Sequence, residues 1–228
     1  MSLIPLPESL VPFLEPYLPK PINRRPFITL TYAQSIDSRI AAEPGVQTKL
    51  SHLETKTMTH YLRSKHDAIL VGVGTVLADD PKLNCRYGGG KIRPIVVDPS
   101  GRWDYNTSTL KKICDAGEGL PPYILVDESV EKEGVVKLPL LGGDNWEIIF
   151  DKLYELGIKS VMVEGGARVI NSLLGKTVDS IIITVAPVFL GEQGVQVSPS
   201  TSVCLTDASW WTGVQDSVLC ARLQTDSI

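Results

Sequence analysis

The sequence predicts an α/β domain with a mostly parallel sheet, closed by an antiparallel hairpin. Continuous apolar runs such as Ala68–Val73 recur along the chain, the mark of strands covered on both faces. Segments with helical apolar spacing alternate with them. The tail, Trp210–Gln215 followed by Ser217–Leu223, reads as a hairpin that adds antiparallel edges.

Taken in order, residues 1–26 carry Pro5, Pro7, Pro12, Pro16 and Pro19 and form an arm over the surface rather than a domain. Phe27–Ala33 is the first strand. Ser51 and Glu54 have the spacing of a capping box, and behind them Leu53, Met58, Tyr61 and Leu62 mark a helix to about His66. The strand Ala68–Val73 ends at Gly72–Gly74, and a helical turn begins near Thr75. Ile95–Asp98 and Tyr123–Asp127 are strands. Asp144 can cap a helix bearing Trp146, Ile149, Leu153 and Leu156, which Gly157 ends. Ser160–Val163 is a strand, Arg168–Leu174 a helix stopped by Gly175, and Ser180–Ala186 a strand. No polar linker or repeat divides residues 27–228, so one domain is expected.

The 228 residues are 43% hydrophobic and 21% charged, an ordinary composition for a folded domain. A net charge of −4 with no basic stripe argues against a nucleic-acid surface. The four cysteines (Cys85, Cys114, Cys204, Cys220) form no C-x-x-C, so neither a zinc site nor a disulfide framework is expected. No apolar run approaches the ~20 residues that span a bilayer. A soluble protein in the cytoplasm is the simplest expectation.

Two glycine-bearing turns carry the chemistry. In Val71–Arg86 (VGVGTVLADDPKLNCR) a buried strand runs into Gly72 and Gly74. Glycines let backbone approach a phosphate, and Thr75 and Asp79 could bind a pyrophosphate or ribose hydroxyls. The blander reading is a tight strand-to-helix turn. A Rossmann fingerprint is incomplete here, because position 77 is Leu where the third glycine belongs. In Val161–Arg168 (VMVEGGAR) a second strand ends in Gly165–Gly166, with Glu164 at the rim. Two such turns at one sheet edge could share one dinucleotide. Glu164 could orient a substrate or assist a proton transfer, or simply form a surface ion pair.

Together these segments resemble the reductase family of riboflavin biosynthesis, which shares the dihydrofolate-reductase-like fold. Three stretches carry the likeness: Thr31–Ala41 (TYAQSIDSRIA), with Ser38 where the family's turn usually has Gly; Leu62–Arg63 with Thr75–Pro81 (TVLADDP) and Arg86; and Val163–Gly166 (VEGG) with its helix. The resemblance implies that Ala33, Thr75, Asp79, Gly165, Gly166, Ala167 and Arg168 bind NADPH. It implies that Arg63, Leu83 and Arg86 hold a phosphorylated substrate, guanidinium forks suiting phosphate oxygens. Arg39 and Glu164 match positions beside the ribosyl chain, and Glu164 is the first candidate for proton donor. On the bland reading, Arg63 faces solvent and Arg39 pairs with Glu43.

His52-Leu-Glu54 spells H-x-E, but no P-C-x-x-C follows, so the zinc deaminase site that accompanies some bacterial members cannot be built. The implied activity is that of the stand-alone reductase, which reduces 2,5-diamino-6-ribosylamino-4(3H)-pyrimidinone 5′-phosphate to its ribitylamino product. The expected cofactor is NADPH, no metal is needed, and a homodimer is implied. The alternatives are a reductase of the same fold acting on a pterin or folate, a Rossmann-type NADPH enzyme, and a non-catalytic nucleotide-binding module.

Overall fold

A computed structural model describes residues 3–141, 145–176 and 178–224. In chain order its elements are α1 (Leu10–Leu14), β1 (Phe27–Ser35), α2 (Leu53–Ser64), β2 (Ala68–Gly72), α3 (Val73–Asp79), β3 (Arg93–Val97), α4 (Thr109–Asp115) and β4 (Tyr123–Asp127). Then follow β5 (Val136–Leu138), α5 (Trp146–Glu155), β6 (Ser160–Gly165), α6 (Ala167–Leu173), β7 (Ser180–Ala186), β8 (Leu205–Thr212) and β9 (Ser217–Leu223). The strands form one sheet in the order β5-β4-β3-β2-β6-β1-β7-β9-β8. Pairings from β5 to β7 are parallel, and β9 pairs antiparallel with both β7 and β8.

The two-residue period of a strand assigns the core to two faces. Ile28, Leu30, Leu70, Val161, Val163, Ile181 and Ile183 point to the face covered by α5 and α6. Met162 and Ile182 point the other way, to Met58, Tyr61 and Leu62 of α2 and Leu10 and Leu14 of α1. On that second face, Ile69, Val71, Val96, Ile124 and Val126 meet Val73 and Val76 of α3 and Leu110 of α4, with Cys114 of α4 packed beside them. The expected strands and the closing hairpin are present.

Several local expectations are corrected. Ser51 makes no capping box: α2 begins behind His52 without a cap from its own side chain. Asp216, in the hairpin turn, takes that role, accepting the His52 N–H at 2.7 Å and the Thr55 hydroxyl. Glu54 instead accepts the Val214 N–H at 2.9 Å. A cap from a residue 164 positions away gives no local sequence signal. Helix α3 starts at Val73, before Thr75, with Gly72 at its N-cap. The short α4 and β5 carry too few apolar repeats to announce themselves. The expected cap at Asp144 lies outside the described residues. Gly157 does end α5: with φ 85° it donates to Tyr154 O, and Ile158 N donates to Leu153 O, both at 3.0 Å.

The proline-rich arm lies against the second face. Leu10 and Leu14 are fully buried, the Tyr17 hydroxyl donates to the Asp207 carbonyl, and the Trp211 indole donates to Ser9 Oγ at 3.0 Å.

Candidate active site

β6 enters the sheet between β1 and β2 after the chain has already laid down β3 to β5. The carboxyl ends of these strands therefore meet where the strand order reverses, the place where open α/β sheets collect ligands. An open cleft of ≈ 1540 Å³ lies there. Its walls include Tyr32 and Ala33 from β1, Gly72–Thr75 and Asp79 from the β2–α3 turn, Val97 beyond β2, and Glu164, Gly166, Ala167 and Arg168 from the β6–α6 turn. Most of the residues expected to hold a dinucleotide thus share one surface. Gly165 is the exception, being buried behind it.

The two turns touch. Gly166 has φ 78°, and a Cβ placed on it would lie 3.0 Å from Thr75 Oγ1. A Cβ on Gly72 would fall 2.9 Å from Val169 Cγ2, so this glycine is what lets α6 pack over the end of β2. Gly74 has nothing within 4 Å of such a Cβ and leaves its backbone open. The pair makes a side-chain-free cradle that fits the pyrophosphate of a dinucleotide. Burial raises the Asp79 carboxyl above its ordinary value. Burial also pushes the Tyr32 phenol up to about 12, so Tyr32 keeps its proton at neutral pH.

Glu164 sits at an irregularity in the sheet. Along β6, Val163 pairs with Leu70 but Gly165 pairs with Val71, leaving Glu164 unmatched against β2. Such bulges re-aim a side chain beside a site. Alternation from Met162 puts Glu164 on the α2 face, where Arg63 waits. Arg63 Nε and Nη2 donate to Glu164 Oε1 and Oε2 at 2.6 and 2.5 Å, and Nη1 donates to the Asn84 carbonyl at 2.8 Å. The side chains are only 13% and 17% exposed, so this fork is held largely out of water. Burial works to lower the Arg63 pKa, but the charge and hydrogen bonds of Glu164 outweigh it and the net shift is upward. Arg63 therefore does not face solvent. In this fork Glu164 accepts both N–H bonds from Arg63.

One helical turn earlier, His60 receives Arg86. Arg86 Nε and Nη2 lie 3.1 and 2.8 Å from His60 Nε2. A neutral imidazole accepts at one nitrogen only; the shorter contacts make it Nε2, and the 3.3 Å approach of the Arg86 N–H to Nδ1 is secondary. Burial, then the charges of Arg63, Arg86 and Lys56, push His60 down to about 3, so it is neutral at physiological pH.

The other expected substrate residues are placed differently. The Leu83 side chain is 3% exposed and packs with Val71, Val73 and Val76, so it is committed to the core. Arg39 is not part of the cleft wall. Its backbone bridges Gln196, its neighbour Ile40 lines the cleft, and extended alternation turns Arg39 away, beneath Gly194. Its Nε is buried without a hydrogen-bond partner. Tyr32, His60 and Trp146 were not singled out from sequence. Only His60 left a signal, three residues before Arg63 on one helix face.

Fold and cleft together define an α/β reductase of dihydrofolate-reductase-like topology. Dihydrofolate reductase from Enterococcus faecalis superposes with a TM-score of 0.51 at 13% identity, covering 86% of this chain and 96% of that one, a likeness of fold alone. The chain belongs to the RibD C-terminal domain family, whose pattern matches residues 26–219. It is 60% identical, over 98% of its length and 100% of the relative's, to the 2,5-diamino-6-ribosylamino-4(3H)-pyrimidinone 5′-phosphate reductase of Debaryomyces hansenii. The Saccharomyces cerevisiae protein of the same name is 47% identical over 99% of this chain and 100% of its own. The solved riboflavin biosynthesis reductase of Saccharomyces cerevisiae superposes with a TM-score of 0.84 at 45% identity, covering 95% of this chain and 100% of that one.

Proposed function

We propose that this protein reduces the ribosyl side chain of 2,5-diamino-6-ribosylamino-4(3H)-pyrimidinone 5′-phosphate to the ribitylamino form, with NADPH as reductant. The observation that carries this reading is the junction at Glu164, where the glycine cradle meets the Arg63–His60–Arg86 cluster. The cradle suits a dinucleotide and the cluster suits a phosphorylated sugar, so a hydride donor and a ribosyl acceptor would meet at one carboxylate.

NADPH bound in the cleft supplies the hydride. The chain supplies position and charge. Thr75, Asp79 and Gly166–Arg168 would hold the cofactor, with Ala33 on the same cleft wall and Gly165 setting the turn from behind it. Arg63 and Arg86 hold the sugar phosphate, and Leu83 shapes that pocket from the core side. The ring-opened substrate carries a protonated imine, and the Glu164 carboxylate stabilises that charge. The proton for the departing ring oxygen comes from water. Free cysteines fit a reducing cytoplasm, no helix among the described residues is long and apolar enough to cross a membrane, and a homodimer accords with the family resemblance.

The deciding assay follows NADPH absorbance with the diamino substrate, its deaminated analogue and dihydrofolate offered separately. Oxidation with the diamino compound is expected. Oxidation with dihydrofolate alone would overturn the reading.

A further inference from the structure

The cleft continues past the glycine cradle. Besides Ala33, Glu164 and the β2–α3 turn, its walls include Val97 at the end of β3, Ser100 beyond it, Leu140, and Trp146, the first residue of α5. The strand order sets the axis: β1 to β3 is three strand spacings, roughly 14 Å. A dinucleotide with its reactive end at Glu164 and its pyrophosphate at the cradle would carry its adenosine end across the sheet toward β3, where Val97, Ser100 and Trp146 line the cleft.

Trp146 is held as a platform. Its ring stacks on Phe150, with centroids 5.7 Å apart and planes inclined by 28°. The indole N–H donates to Ser172 Oγ at 3.0 Å, and that hydroxyl donates on to the Val169 carbonyl at 2.9 Å. The ring is half-buried and forms part of the cleft wall. A pure core tryptophan would be covered; this one keeps surface in the cleft wall while its orientation is fixed from α6. Fixing the ring beforehand removes an ordering cost from binding.

We propose that Trp146, held by Ser172, is the adenine-stacking platform of the cofactor cleft. This rests on the proposed use of NADPH. Trp146 is then an affinity determinant for the adenosine half and has no part in hydride transfer.

The probes are adenosine 2′,5′-bisphosphate, which carries only that half, and reduced nicotinamide mononucleotide, which lacks it. By calorimetry, Trp146→Ala weakens the bisphosphate about tenfold or more, the usual scale of a lost base–aromatic stack. Trp146→Phe keeps most of the affinity, and Ser172→Ala loses a smaller part. Turnover with reduced nicotinamide mononucleotide is unchanged in all three. As a check that needs no destabilising variant, 5-fluorotryptophan is incorporated into the otherwise unaltered protein and the Trp146 resonance is assigned with Trp146→Phe. It shifts on adding the bisphosphate. A static resonance, or wild-type bisphosphate affinity in Trp146→Ala, overturns the platform while leaving the cofactor assignment standing. A wild-type protein that binds neither the bisphosphate nor NADPH removes the cofactor assignment itself.

Discussion

At the scale of single residues, charge pairing decides the roles. Glu164 and Arg63 neutralise each other across two short bonds, so removing one partner strands the other charge in a poorly hydrated place. Glu164→Gln keeps the shape but forfeits the negative charge. Its kcat is expected to fall by about 100-fold, the scale of a lost electrostatic contact at a reacting centre, while the dissociation constant for NADPH changes little. Steady-state kinetics with parallel cofactor titration tests this, and unchanged turnover removes Glu164 from the chemistry. The spacing His60–Arg63 and the VEGG motif are local, so the sequence displays them. Alternation along β6 puts Glu164 on the α2 face, but its pairing with Arg63, 101 residues away, belongs to the packing of α2 on the sheet, and no local pattern encodes it.

At the scale of elements, α2 depends on the hairpin. Its N-terminus is capped by Asp216, and its Glu54 holds the hairpin turn at Val214. Asp216→Ala removes two hydrogen bonds to a buried carboxylate and is expected to cost about 1–3 kcal/mol, read from urea unfolding midpoints. Ser51→Ala leaves stability unchanged, because no cap resides there. The β2–α6 contact is as sensitive. Gly72→Ala puts a methyl 2.9 Å from Val169 Cγ2, and overpacking of this kind costs about 1–3 kcal/mol. A raised KM for NADPH accompanies it, since α6 carries one side of the cradle. Gly74→Ala, with open space before it, leaves the melting temperature in place.

At the scale of the whole molecule, the proline-rich arm and two buried histidines govern stability. A chain lacking residues 1–24 exposes the surface that Leu10, Leu14 and Tyr17 cover. A lower melting temperature and new binding of an apolar dye are expected; an unchanged melting curve would show that the arm contributes nothing. Acid acts through His66, whose Nδ1–H donates to the Leu62 carbonyl at 2.7 Å while Nε2 meets Thr29 Oγ1 at 2.7 Å. Burial pushes this imidazole from 6.5 down to about 4. Between those values the unfolded chain binds a proton that the folded chain refuses. His66 therefore stabilises fully above pH 6.5 and progressively less as pH falls toward 4, a loss on the order of 3 kcal/mol. His60, pushed lower, acts in the same direction. Asp37 and Asp127, both held near 2, contribute above pH 3.8 and lose that contribution only below it. Urea titrations at pH 7, 4 and 2 sample the two windows, and His66→Gln flattens the upper one.

The sequence by itself determined the alternating architecture, the closing hairpin and the two glycine turns. Each is written in contiguous residues: a buried run, a helical stripe, a glycine where backbone must come close. It also displayed Thr75, Asp79 and Gly166–Arg168, which share one cleft wall, because a turn's residues are neighbours in the chain. Only the tertiary structure decided what meets what. It sent Leu83 into the core and Arg39 beneath Gly194. It joined Arg63 to a carboxylate 101 residues away, capped α2 from the hairpin and set Trp146 in the cleft wall. These outcomes follow from strand order and from the face each side chain takes, and both are fixed by packing of the whole sheet rather than by any local stretch.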